Sequence, residues 1–316
     1  MEQTWKDKLF NWKTLGSFCL AFFILFLIVT QADLPQLLQI FSSIKWQFFL
    51  IALLIFVVDL IFRAVRWHIL LRNIKTKVTF RDTLEYLVLL MFTNSAIPAK
   101  LGNLYAPYLI KKNHKQPVFK TLGTIVVDRF FDLLVMGLLL TLVILLGSFG
   151  EHYAYYLFLL KICYLLLIIL FAFIFLMRNQ LPLLIRFVPK KFQSMTNNLS
   201  SSIKECLPLS SVPGFGVALI IFWVLLILRY YFIFLALGIQ IPTLTLFFII
   251  LVGILAQLFP FTPSGLGLVE AGTIGAFILL GVEKNLAISA ALLERFFGYW
   301  LMIFIGFIVF IKSKKT

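Results

Sequence analysis

Residues 244–281 read LTLFFIILVGILAQLFPFTPSGLGLVEAGTIGAFILLG, and the fold turns on how that stretch is cut. Hydropathy alone would make it one long apolar run. Pro260, Pro263, Gly265 and Gly267 divide it into two arms, 244–259 and 268–281. At about 1.5 Å of rise per residue, neither arm crosses about 30 Å of hydrocarbon. Short arms parted by Pro and Gly predict a re-entrant hairpin, which a bilayer tolerates only where protein shields the break or a wet cavity adjoins it. A second stretch has the same form. Residues 83–97 end at Ile97-Pro98, meet Lys100, Gly102 and Asn103, and resume over 104–110.

Outward from these breaks lie six uninterrupted apolar runs: 15–30, 46–62, 118–147, 153–177, 213–237 and 286–311. The run 118–147 is long, so it is expected to tilt or to protrude at its start. The expected fold is an all-α integral membrane protein with about six full spans, two re-entrant hairpins, and both termini cytoplasmic. Composition agrees: 62% of residues are hydrophobic, only 13% are charged, and mean hydropathy is +1.03. A soluble domain carries roughly 45–50% apolar and about 25% charged residues. A soluble enzyme, a disordered chain and a secreted disulfide scaffold are thereby excluded. Cys19, Cys163 and Cys206, like His68, His114 and His152, show no metal-ligand or disulfide spacing, so no metal or cofactor is expected. The basic N-terminus lacks a small-residue cleavage site after its apolar run and reads as a retained first span.

The formal charge of +15 has a topological reading. With the N-terminus inside and each hairpin returning to its own side, twenty-one bases fall in the cytoplasm, among them Lys6, Lys8, Arg186 and six from Arg63 to Arg81. Only Lys45 and Lys284 fall outside. That asymmetry is the positive-inside pattern and replaces a nucleic-acid reading of the charge. It also favours anionic inner-leaflet lipid.

The chain reads as one polytopic domain, 1–316, made of two halves at about 46–147 and 213–311. In the linker, about 178–210, Phe192, Met195, Leu199, Ile203 and Cys206 fall at helical spacing. An interfacial amphipathic helix and a plain cytoplasmic linker helix both fit. The halves resemble each other at their least lipid-compatible positions. Arg63, Pro98, Gly102 and Asp128-Arg129-Phe130-Phe131 recur as Arg229, Pro263, Gly267 and Glu294-Arg295-Phe296-Phe297, at offsets of 165 or 166 residues. With the charge-derived topology, the two copies run oppositely across the bilayer, the plan of many secondary transporters.

A charge at mid-bilayer costs about 2.5–3.5 kcal/mol on insertion scales, so Arg129, Arg229 and Arg295 demand compensation. Asp59 lies one turn from Arg63, and Arg66 shares that face; Asp128, Asp132, Glu270 and Glu294 are the other candidate partners. Two readings stand at this point. Either these are buried ion pairs fixing helix packing, or arginines in excess of the acids leave a positive site for an anion. Guanidinium matches phosphate with two parallel hydrogen bonds, and helix N-termini after each break add backbone donors. Glu270 reads equally as a proton carrier, a cation ligand or a helix cap. No phosphate loop, H-E-x-x-H or G-x-S-x-G motif occurs, so no catalysis is expected.

At these residues the chain resembles the flippase-like membrane region of the lysylphosphatidylglycerol synthase family, which also occurs as standalone membrane proteins. The resemblance spans nearly the whole chain through Arg63-Ala64-Val65-Arg66-Trp67, Ile97 to Gly102, Asp128 to Asp132, Thr262 to Glu270 and Glu294 to Phe297. It implies movement of a lipid, such as an aminoacylated phospholipid or a polyprenyl-phosphate carrier, across a prokaryotic plasma membrane. Members usually carry an acid after the first hairpin glycine and an arginine soon beyond; here Asn103 and Ala106-Pro107 stand there. No aminoacyltransferase domain follows Lys312, so lysyl transfer by this chain is not expected. The leading reading is a translocator holding an anionic lipid head group at Arg63, Arg66, Arg129, Arg229 and Arg295 between the tips around Pro98–Gly102 and Pro263–Gly267. The other two are a membrane subunit serving a separate lipid-modifying enzyme, and a non-transporting scaffold.

Overall fold

A computed structural model describes residues 12–97, 100–146, 153–179, 189–258 and 262–315. Pro98 and Pro260, together with Lys6, Lys8 and Arg186 of the charge count, lie outside the described residues. The described residues are helical, without strands. In chain order they form α1 (Trp12–Thr30), α2 (Leu34–Ser42), α3 (Trp46–Asn73), α4 (Phe80–Ala96), α5 (Gly102–His114), α6 (Val118–Leu146) and α7 (Tyr153–Asn179). The chain continues as α8 (Lys190–Glu205), α9 (Val212–Ala236), α10 (Thr243–Leu258), α11 (Leu268–Leu279), α12 (Lys284–Arg295) and α13 (Leu301–Lys312). A π-helical turn, Phe296–Trp300, joins α12 to α13.

Among the described residues, five helical stretches are long and apolar enough to cross a membrane, and six if α1 and α2 count as one span. Those two meet at 90°. Asp33 causes the bend: its side chain accepts from the Gln36 backbone N–H, and Pro35 sits in the first turn of α2. The span expected at 46–62 runs on to Asn73. Arg63 and Arg66 are therefore helix residues within the packed interior, not members of a cytoplasmic loop; Asp59 on the same helix lies near Arg63, and Asp128 and Asp132 on α6 compensate Arg66.

The long helices are polar inward and apolar outward. On α3, Leu50, Leu54, Val57 and Ile61 are exposed at helical spacing, while Ala52, Phe56, Asp59 and Arg66 are buried. On α9, Val217, Ile220, Val224 and Leu228 face out, and Phe222, Trp223, Arg229 and Tyr230 face in. Such a surface suits hydrocarbon as the outer solvent. α3 and α9 pack along each other at the centre of the molecule.

Each proline-broken stretch is an antiparallel helix pair. In the first, α4 has 17 residues and α5 has 13. Tyr86 hydroxyl lies 3.1 Å from His114 Nε2 at one end, and Asn94 Nδ2 donates to Asn103 Oδ1 at 3.2 Å near the break. A Cβ on Gly102 would collide with the Leu90 carbonyl oxygen, so only glycine allows this approach. In the second, α10 has 16 residues and α11 has 12. There a Cβ on Gly253 would meet Thr273, and one on Gly272 would meet Val252 and Ala256. The element starts repeat along the chain: Trp46 and Val212, Gly102 and Leu268, and Val118 and Lys284 are each 166 residues apart.

The halves exchange partners. α4 packs on α13 of the other half, and α10 packs reciprocally on α6. Helix α8 lies against α6 and α7, burying Ile203 and Cys206 while Phe192 and Met195 stay exposed.

Candidate functional site

Five helices, α3, α6, α9, α11 and α12, supply the paired charges. On α3, Asp59, Arg63 and Arg66 follow one another at helical spacing, which turns them to one face. The Arg66 guanidinium is held by two carboxylates, to which Nη1 and Nη2 donate three hydrogen bonds. Its Nε lies 2.6 Å from Asp128 and its Nη1 2.7 Å from Asp132, so two carboxylates a turn apart on α6 grip one arginine. Arg63 is less committed. Its carboxylate partner Asp59 stands 3.9 Å away, and its Nε is buried with no hydrogen-bond acceptor among the described residues. Both guanidinium groups lie on the Phe222 ring of α9, 4.7 and 4.8 Å from its centroid, a cation–π contact bridging the halves.

Asp59 has a second partner across the halves, Arg229 Nη1 at 3.3 Å. The Arg229 Nε also lacks an acceptor among the described residues. Arg129 lies 2.9 Å from Asp132, whose other contact is Arg66, and 44% of its side chain is exposed, the most open of these arginines.

In the second half the arginine on the last span has a structural task. Arg295 Nε lies 3.1 Å from Glu270, and its Nη2 donates to the carbonyls of Ser264 and Gly265 at 3.4 and 3.1 Å. Ser264, Gly265 and Gly267 all have positive φ, at 48°, 72° and 84°, so the turn bends where two glycines make it cheap. Glu270 closes it by accepting from the Gly267 N–H at 2.7 Å, as an acid in the third helical position does. Of the three readings of Glu270, the cap is the one with visible contacts, and Arg295 is its counter-ion.

These elements surround one cavity of about 300 Å³ between the halves. Of the residues expected in the site, Arg63, Arg129, Arg229, Arg295, Asp59, Asp132 and Glu294 line it. Arg66, Asp128, Glu270, Gly102, Pro263 and Gly267 do not; they hold the wall from behind or fix the hairpin turns. Pro98 is outside the described residues. The second turn, Pro263–Gly265, packs against α4, and Tyr299 from the last span donates to the Ser95 carbonyl at 3.1 Å.

Sequence reasoning left several lining residues out. Lys100 sits at the first break with φ 52°, borders the cavity, and has no ion-pair partner within 4.0 Å among the described residues. Its signal was available, since it is a lone charge inside an apolar break. Asn94 and Gln257 are a matched pair of amides, each bonded to a polar side chain beyond its break, Asn103 and Ser264. Phe222, Trp223 and Tyr230 gave no signal in a chain so rich in aromatics. Five cations, Arg63, Lys100, Arg129, Arg229 and Arg295, thus border the cavity against three acids, Asp59, Asp132 and Glu294, a formal excess of two. Adding Arg66, Asp128 and Glu270 from behind the wall reduces the excess to one.

Comparison with known proteins gives relatives described as membrane proteins. A UPF0104 membrane protein of Methanocaldococcus jannaschii is 31% identical over 228 residues, covering 72% of this chain and 96% of that protein. One from Pyrococcus horikoshii is 25% identical over 319 residues, covering 92% of this chain and 95% of that protein. No solved structure matches the chain at a significant level. The sequence profile described as the lysylphosphatidylglycerol synthase TM region matches residues 14–306, and the chain is a multi-pass membrane protein that belongs to that family.

Proposed function

We propose that this protein moves an anionic, phosphate-bearing lipid across a prokaryotic plasma membrane, holding the head group in the central cavity while the lipid tails stay in the bilayer. In this reading the two antiparallel helix pairs are re-entrant from opposite faces, the halves form an inverted repeat, and both termini are cytoplasmic. The observation that carries it is the incomplete neutralisation of the first half's wall. Arg63 keeps an unbonded Nε and a distant carboxylate, Arg129 shares Asp132 with Arg66, and Lys100 has no acid at all. Three cations converging with unused donors suit the oxygens of a phosphate diester. A cavity of about 300 Å³ is at the small end of ligand sites, large enough for a head group and not for a whole lipid. Asn94, Asn103 and Gln257 on the same wall offer amides to head-group hydroxyls.

The test is translocation of fluorescent phosphatidylglycerol in proteoliposomes. Arg129→Gln and Lys100→Gln each remove one charge-assisted contact worth about 1.5–3 kcal/mol, so each is expected to slow transport by about tenfold or more. Rates equal to the unaltered protein in both variants would refute the reading. They would leave a scaffold, whose function survives loss of these charges.

A further inference from the structure

Glu294 lines the same cavity, is 8% exposed, and has no cation within 4.0 Å among the described residues. Its neighbours explain why. Arg295, next in sequence, turns to Glu270 and the carbonyls of the second hairpin. Arg229, on the adjoining α9, reaches Asp59 instead. The acid in the same register of the first half, Asp128, is held by Arg66. In the second half, 166 residues on, Phe232 stands in place of Arg66 and Gly298 in place of Asp132. Gly298 lies in the π-helical turn, and a Cβ there would sit 3.0 Å from a Glu294 oxygen, so the glycine keeps room beside the carboxylate. π turns inside long helices are frequent at functional sites. The charged and titratable groups facing Glu294 are Arg229 and Tyr230 from α9, Glu270 from α11, Arg295 and Tyr299 on its own span, and Asp59 across the cavity.

We propose that Glu294 takes up a proton when an anion occupies the cavity, so that lipid and proton load together; this rests on the anionic-lipid reading above. A phosphate entering the cavity puts a second negative charge beside the Glu294 carboxylate, and two like charges in one buried site are relieved when one of them takes up a proton. The proton comes from water and forms an O–H bond on a Glu294 carboxylate oxygen, and it is released when the phosphate leaves. Linkage is reciprocal, so a lower pH must tighten anion binding by the amount that the anion raises proton affinity. One phosphate diester and one proton together carry no net charge. Transport then follows a pH gradient and not the membrane potential.

The experiment is isothermal titration of the full chain in detergent with short-chain phosphatidylglycerol, in two buffers of different ionisation enthalpy. The expected result is about one proton taken up per lipid bound, with affinity falling by up to about tenfold per pH unit where the carboxyl titrates. Glu294→Gln is expected to bind without proton uptake and with an affinity flat in pH, and Glu294→Asp to restore the uptake. Lipid binding with no proton uptake, or the same uptake in Glu294→Gln, overturns this inference and leaves the lipid reading intact. No binding of lipid by the unaltered protein overturns both. Should Glu294→Gln fail to fold, Glu294→Asp decides: a pH midpoint identical to that of the unaltered protein counts against Glu294 as the group that titrates.

Discussion

Asp128 and Glu294 stand 166 residues apart, each heading an Arg-Phe-Phe string, yet the two acids live differently. Asp128 and Asp132 together clamp Arg66, with the Phe222 ring against the guanidinium. Glu294 has Phe232 and Gly298 where that clamp would be. Two stretches with the same acid–Arg–Phe–Phe string thus place their charges in different surroundings. The first half keeps Arg66 clamped between two carboxylates as a fixed wall and sets further cations beside it. The second half gives its arginine to a hairpin turn and leaves its acid with no ion-pair partner. Paired buried charges add little net stability but are costly to break, so the triad reads as a framework that tolerates no partial loss.

That asymmetry yields its largest prediction at Arg66. Arg66→Met leaves Asp128 and Asp132 with only the half-exposed Arg129 as counter-charge, a loss of about 3–5 kcal/mol. Thermal unfolding in detergent should show a large fall in midpoint or no folded protein. A midpoint near that of the unaltered chain would mean that the triad is not the framework.

The hairpins allow a second comparison, of smaller size. At Gly102 an added Cβ meets backbone, the Leu90 carbonyl, and cannot be relieved by turning a side chain. Gly102→Ala should therefore part α4 from α5 at a cost of about 1–3 kcal/mol. Gly272 in the other hairpin has Val252 and Ala256 at 3.4 and 3.7 Å, ordinary contact distances. Gly272→Ala should be neutral, or stabilising by up to about 1 kcal/mol from helix propensity. Equal unfolding midpoints for the two variants would remove the distinction between a tight first hairpin and a looser second one.

Much of this plan was legible in residues. Pro and Gly interrupt apolar runs too short to span, and that pattern marks both helix pairs. The acid–Arg–Phe–Phe strings mark the register between halves. Hydropathy misled at one end. It stopped a span at Arg63, because a transfer scale treats each charge as facing lipid, whereas α3 continues to Asn73 with its charges paired across helices. It was silent on α2, which starts at a right angle behind Asp33 and Pro35 and falls outside every apolar run. The allotment of acids to arginines was beyond reach from sequence. Whether Arg295 turns to Glu294 or to Glu270 depends on how a hairpin packs, and no spacing rule contains that.

The smallest expected effect discriminates most. Asp128→Asn removes a charge from a clamped guanidinium and should cost about 1.5–3 kcal/mol, as expected for a charge-assisted hydrogen bond. Glu294→Gln, nearly the same chemical change in the same register, removes a carboxylate with no ion-pair partner. It keeps the side chain's volume and its hydrogen-bonding capacity toward Tyr230, so the cost should stay below about 1 kcal/mol. Unfolding midpoints of both variants in one detergent compare them directly. If Glu294→Gln proved as damaging as Asp128→Asn, the charge of Glu294 would be bearing structural load, with its Tyr230 hydrogen bond the first contact to examine. A stable Glu294→Gln protein with impaired transport would instead separate the residue's work from the fold, because a group whose charge can be removed without loss of stability is one whose charge the framework does not use.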